Sequence, residues 1–95
     1  MKLSFFEAAR SLTGVTPAWG ALTGIRPAKL AAELLEGGMD PQAADRVLRD
    51  VYFVSDKRRR LCLECAQAGL AAKRALSPGE ISLYVGIPFC PTRCA

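Results

Sequence analysis

The 95 residues include four cysteines and no histidine, and the cysteines fall in two pairs of different kind. Cys90 and Cys94 lie in IPFCPTRCA, directly after an apolar run, on a loop stiffened by Pro88 and Pro91. Backbone bends in such a loop can turn several side chains toward one centre. Thiolates at this kind of spacing hold iron–sulfur clusters, and one more cysteine at position 97 would complete a C-x-x-x-C-x-x-C set. From spacing alone, two packed or surface thiols stand as the alternative. Cys62 and Cys65 form a C-x-x-C, the spacing of redox and zinc half-sites. Their context points instead to packing: they fall mid-helix on an apolar line, with no βαβ pattern following and no second ligand pair, and free cysteine behaves as a small hydrophobe.

Two basic features could also do chemistry. The run DKRRR at 56–60 could contact phosphates, but consecutive residues spread around a helix, and a charge run reads first as a solvated face. Arg26, in GIRP beside two glycines and close to Trp19, suits bidentate pairing with a carboxylate. The competing reading, a helix-entry arginine bonding local carbonyls, is preferred.

The elements that must position these residues are mainly helical. The hydrophobic share is 51% with only 7% aromatic, so Ala and Leu carry the apolar content, as in packed helices. The expected fold is about four helices followed by one β-strand. The first helix runs from Leu3 to about Thr13, with Phe5, Ala9 and Leu12 as its apolar line and Gly14 as a left-handed cap. Pro17, Gly20 and Gly24 break the chain into an ordered loop anchored by Trp19. Pro27 opens a second helix with Leu30, Ala31, Leu34 and Leu35 inward, ended by Gly37-Gly38. Asp40 caps a third, with Ala44, Val47, Leu48 and Val51 inward and Tyr52 and Phe53 closing the face. Ser55 caps a fourth and longer helix, whose apolar line is expected through Leu61, Cys62, Cys65, Ala68, Ala72 and Leu76, with Gly69 a mild interruption. SPGE at 77–80 is a turn, and ISLYVGI reads as a strand whose sheet partners are expected beyond Ala95.

Several classes are excluded or weakened by composition. Glu7 and Arg10 interrupt the opening before it could serve as a secretory core, and no stretch approaches membrane-spanning length. A cytoplasmic protein with reduced thiols or metal ligands is expected. The formal charge of +4 gives only a weak hint of polyanion binding, and no nucleic-acid partner is expected.

The stretch ISLYVGIPFCPTRCA resembles the opening strand and cluster loop of radical S-adenosylmethionine enzymes of the oxygen-independent coproporphyrinogen III oxidase family. WGALTGIRPAKLAAELLEGG extends the likeness into the helical region and is similar to the HemZ-type branch, the coproporphyrinogen dehydrogenases. The resemblance implies a partial (β/α) barrel in the parent protein, with residues 1–76 as a helical pre-barrel segment and 77–95 as the first strand and the start of the cluster loop. It implies a [4Fe–4S] cluster with Cys90 and Cys94 as two of three ligands, its open iron taken by S-adenosylmethionine, and Tyr84 set against that cofactor. A strand aromatic with no such contact is the plainer reading of Tyr84. Many relatives have histidine where this chain has Gly86, a departure typical of the HemZ-like branch.

The reaction implied starts with one electron, from an electron donor by way of the cluster, that cleaves S-adenosylmethionine to a 5′-deoxyadenosyl radical. Hydrogen abstraction from a propionate and oxidative decarboxylation then convert two propionates of coproporphyrinogen III to vinyls. The cofactor carries that chemistry while the protein binds and orients. On this reading the sequence is partial, cut within the cluster motif, whether further residues precede Met1 stays open, and the 95 residues alone hold no catalytic residue and are inactive. Two alternatives remain: a haem carrier of the same wider family, and a small helix-turn-helix-like module using Gln42, Asp45, Arg46, Arg49 and the run Arg58 to Arg60.

Overall fold

The structure, a computed structural model, describes residues 2–22 and 26–87. Four helices are present among them: α1 (Lys2–Thr13), α2 (Pro27–Glu36), α3 (Pro41–Asp50) and α4 (Asp56–Arg74). Each begins or ends within two residues of its expected bound, because the stop and start signals are local. Pro27 and Pro41 occupy first-turn positions where a missing N–H is harmless. Asp40 Oδ1 accepts from the amides of Gln42 (2.8 Å) and Ala43 (3.1 Å), as expected of an N-cap aspartate. At the other end of α2 the Gly38 amide donates to Leu35 O and the Met39 amide to Leu34 O, with Gly38 at φ 91°, which is a Schellman closure.

α2, α3 and α4 pack on one another. Their core is Leu22, Ala31, Leu48, Val54, Cys62 and Ala66, with Trp19 and Leu35 among the half-buried side chains against it. Ala31, Ala44 and Leu48 are fully buried, and the small residues on α2 and α3 allow close helix approach. Tyr52 and Phe53 are half-buried and Val51 is exposed.

The loop around Trp19 is docked backbone to backbone on the turn between α3 and α4. The Ala21 amide donates to Tyr52 O (2.8 Å), and both the amide and the Oγ of Ser55 donate to Ala18 O (3.0 and 2.9 Å). Gly20 permits the approach: its φ is +55°, and a Cβ there would fall on the Tyr52 carbonyl oxygen. Ser55 therefore stands at the N-cap position of α4 but makes no side-chain cap bond, contrary to expectation. Its hydroxyl is instead turned toward the Ala18 carbonyl, to which it donates.

Three further expectations are corrected. On α1, Phe5 and Leu12 are 79% and 88% exposed, and the inward side is Phe6, Ala9 and Arg10. α1 touches no other helix among the described residues; Phe6 stacks on Phe53 with centroids 5.8 Å apart, and the Arg10 guanidinium lies 4.1 Å from the same ring. Phe5 and Phe6 are adjacent, so the sequence could not say which faces inward without knowing where Phe53 sits. On α4 the inward line is Arg59, Cys62, Ala66 and Leu70, whereas Leu61, Cys65, Ala68, Ala72 and Leu76 are exposed. The expected line ran along the apolar residues; the real one includes an arginine. Lastly, residues 81–87 form no strand, and none is found among the described residues. A strand is completed by ladder hydrogen bonds from a neighbour, and residues 81–87 make no backbone hydrogen bond to any other described residue.

Candidate functional site

The segment that leads to Cys90 leaves the helical body at Ser77–Glu80. The Glu80 amide donates to Ser77 O (3.0 Å), the Ser77 amide donates to Glu80 Oε2 (2.7 Å), and Gly79 adopts φ 91°. Proline second and a left-handed glycine third make this the turn that SPGE encodes. The chain then runs outward: Ile81, Leu83, Val85 and Ile87 are all exposed, and Tyr84 is 92% exposed. A Cβ at Gly86 would sit 3.2 Å from the Tyr84 ring, so glycine leaves that ring room to lie beside the backbone. Among the described residues nothing covers the Tyr84 ring. Cys90 and Cys94, the expected cluster ligands, lie outside the described residues. Among the described residues no group of three or more Cys, Asp or Glu side chains could hold a metal.

The C-x-x-C on α4 behaves as a packing feature. Both thiols are free; Cys62 is 2% exposed within the core and Cys65 faces solvent. Burial, and then the neighbouring Cys65, push the Cys62 thiol above its ordinary pKa, so it stays protonated and unreactive at neutral pH. The two cysteines sit on different sides of the helix surface, one in the core and one in water.

The basic run contains a residue that sequence reasoning missed. Arg59 is buried and donates from Nε to Asp45 Oδ1 (2.8 Å), from Nη1 to Val54 O (2.8 Å), and pairs through Nη2 with Asp56 Oδ1 (2.7 Å). Burial alone would lower its pKa, but the hydrogen bonds to Asp45 and Asp56 outweigh it and the net shift is upward. The planar fork bridges α3, the turn before α4 and the first turn of α4. The signal was present as spacing: Arg59 stands three, seven and eleven residues before Cys62, Ala66 and Leu70. This arrangement removes Asp45 from the surface set that a helix-turn-helix module would present, and Arg49 is paired to Asp50 (2.7 Å). Arg26 is exposed at the N-cap of α2, where its carbonyl accepts from the Lys29 and Leu30 amides and its side chain makes no cap bond.

Compared with known proteins, the chain is 45% identical over 85 residues, 87% of its length, to the oxygen-independent coproporphyrinogen-III oxidase-like protein HemZ of Bacillus subtilis (strain 168). The resemblance to HemZ-type proteins is shown. The chain spans 17% of that relative's length. No protein-family model matches it, and no solved structure matches it significantly. Among the described residues no helix is long and apolar enough to cross a membrane.

Proposed function

We propose that this chain serves a HemZ-type radical S-adenosylmethionine protein of the cytoplasm that oxidatively decarboxylates a tetrapyrrole, coproporphyrinogen III, with a separate electron donor. The observation that carries the reading is the 45% identity over most of the chain, together with the C-x-x-x-C at its end. The donor set suits an iron–sulfur cluster: Cys90 and Cys94 offer thiolates, the chain has no histidine to favour another metal, and the described residues offer no rival ligand group. Cys90 and Cys94 would hold two irons' worth of ligation in a [4Fe–4S] site, with Tyr84 against S-adenosylmethionine. When bound, the cluster and S-adenosylmethionine supply single-electron chemistry at a substrate propionate.

The role of this chain's own residues follows from the helical body. α2 to α4 form a packed support, the Ser77–Glu80 turn directs the chain away from it, and residues 81–87 expose their backbone and apolar side chains. An extended segment in this state is suited to becoming the first strand of the parent's partial (β/α) barrel, whose loops at strand ends would then carry Cys90 and Cys94. The apolar side chains of 81–87 would exclude water once covered. Residues 1–76 act in this reading as the pre-barrel support and 77–95 as strand and cluster loop.

The test is made on the full-length parent, purified without oxygen and supplied with iron and sulfide. It should turn brown, form 5′-deoxyadenosine from S-adenosylmethionine and decarboxylate coproporphyrinogen III, and Cys90→Ser or Cys94→Ser should abolish colour and turnover together. A colourless wild-type preparation would sink the proposal. Haem binding with no decarboxylation would replace the oxidase with a haem carrier.

A further inference from the structure

α1 is held on the helical body by an arrangement that the core does not need. It touches no other helix among the described residues, and its linker, Gly14 to Pro17, is exposed throughout. The clasp is the Phe53 ring, which stacks on Phe6 with centroids 5.8 Å apart and lies 4.1 Å from the Arg10 guanidinium. Beside it an open groove of about 380 Å³ runs between α1 and the linker residues Val15 and Pro17, so even the inner side of the helix is not sealed.

Phe53 makes this contact from a strained backbone. It follows α3 in the left-handed region, at φ 57°, and no other non-glycine residue among those described has a positive φ. Its amide donates to Arg49 O (3.1 Å) and the next amide, of Val54, to Leu48 O (3.0 Å), a helix end at which glycine is the ordinary occupant. A bulky side chain is disfavoured there and persists only where its surroundings hold it. Glycine would close α3 without that strain, so what phenylalanine adds is the ring, and the ring meets α1. A local rule broken to fix the position of a helix that the core does not use points to a contact for that helix elsewhere.

The face left for such a contact is apolar. Phe5, Ala8 and Leu12 follow one another at i, i+3 and i+7 on one side of α1, and all three are exposed. α1 carries two cations, Lys2 and Arg10, and Arg10 lies on Phe53, so the helix lacks the basic face that selects an anionic lipid surface. The chain spans 17% of the HemZ relative's length, and a parent of that size has most of its polypeptide outside these residues. We propose that α1 is a docking helix, set in place by Phe53, whose stripe of Phe5, Ala8 and Leu12 seats on an apolar face of the remainder of the parent polypeptide. The proposal rests on the parent named in the proposed function and is independent of that protein's reaction.

Hydrogen exchange of the α1 amides is followed in the full-length parent. Phe5→Ala with Leu12→Ala should speed their exchange by about tenfold or more. Alanine raises intrinsic helix propensity at both positions, so faster exchange reports a lost seat and not a weakened helix. Phe53→Gly should speed α1 exchange by about threefold or more while α2 to α4 exchange no faster, because the strain leaves with the ring. Unchanged α1 exchange in the double alanine variant overturns the proposal, and unchanged exchange in Phe53→Gly overturns the part given to Phe53. Wild-type protection that is lost when a dimeric parent is diluted to monomer assigns the stripe to a second copy and overturns the proposal. Protection that appears only on adding phosphatidylglycerol vesicles assigns it to a lipid surface, with the same consequence. A colourless parent with a seated α1 removes the proposed reaction alone; an active parent with an unseated α1 removes the docking helix alone.

Discussion

Residues 26–74 and residues 75–87 are both rich in apolar side chains, yet the first region hides them and the second displays them. In the helical region Ala31, Ala44 and Leu48 have no exposed surface, and Cys62 and Ala66 have almost none. In the segment after it Ile81, Leu83 and Val85 are each more than 70% exposed. The difference lies in how the backbone is satisfied. A helix closes its own hydrogen bonds and needs only a neighbour for its apolar stripe, whereas an extended segment needs a partner strand for both. Hydropathy is common to the two regions; the presence of something to pack on is not.

Substitutions can sharpen that contrast, and the largest effect belongs to the helical core. Leu48→Ala, at a fully buried position, should destabilise by about 2–5 kcal/mol in a denaturant melt, since both transfer and cavity effects apply. A value under 1 kcal/mol would show that the three-helix core is not the source of stability. Arg59→Ala should cost about 2–4 kcal/mol, because Asp45 and the Val54 carbonyl lose their donor while only one of them can regain water easily. An effect of surface size would mean that the buried pair contributes nothing.

A smaller effect is expected where charge ties α2 to α4 at the surface. The Glu36 carboxyl, hydrogen-bonded by Lys73 Nζ at 2.7 Å and attracted by its charge, is held below the usual carboxylate range. Its contribution is present above the ordinary glutamate pKa and is lost as pH falls through the depressed value. Glu36→Gln should therefore lower the melting temperature slightly at pH 7, with the difference disappearing as the pH falls below the depressed Glu36 value, and the gap shrinking in high salt because both groups are exposed. A gap that widens in acid would reverse the assignment. The smallest effect belongs to the extended segment: Leu83→Asp should change the stability of the 95-residue chain by no more than about 0.5 kcal/mol. In the full-length parent, under the proposed cluster assignment, the same change should abolish cluster retention. Equal, large losses in both would place this segment in the core after all.

Much of the helical body was legible because its signals are short. Pro27, Gly37-Gly38, Asp40-Pro41 and the Ala44-Leu48 spacing each act within one or two turns, and all four were placed correctly. Ser55 was legible as a helix start and not as a bridge, because its partner, Ala18, is 37 residues away. Cys62 was read correctly as packing, and Cys65 was not, since the facing of α4 depends on where Asp45 stands to receive Arg59. Of the candidate site, Tyr84 is found exposed; Cys90 and Cys94 lie outside the described residues.

The sequence by itself determined where helices begin and end, that the SPGE turn releases the chain from them, and the likeness to HemZ, because caps, prolines, glycines and motif residues are read locally. The tertiary structure alone decided which face of α1 and α4 points inward, that of the four cations in DKRRR only Arg59 pairs with Asp45 and Asp56 in the core, and that Gly20 meets the Tyr52 carbonyl. Those outcomes depend on contacts between residues far apart in the chain, whose energies no local pattern contains.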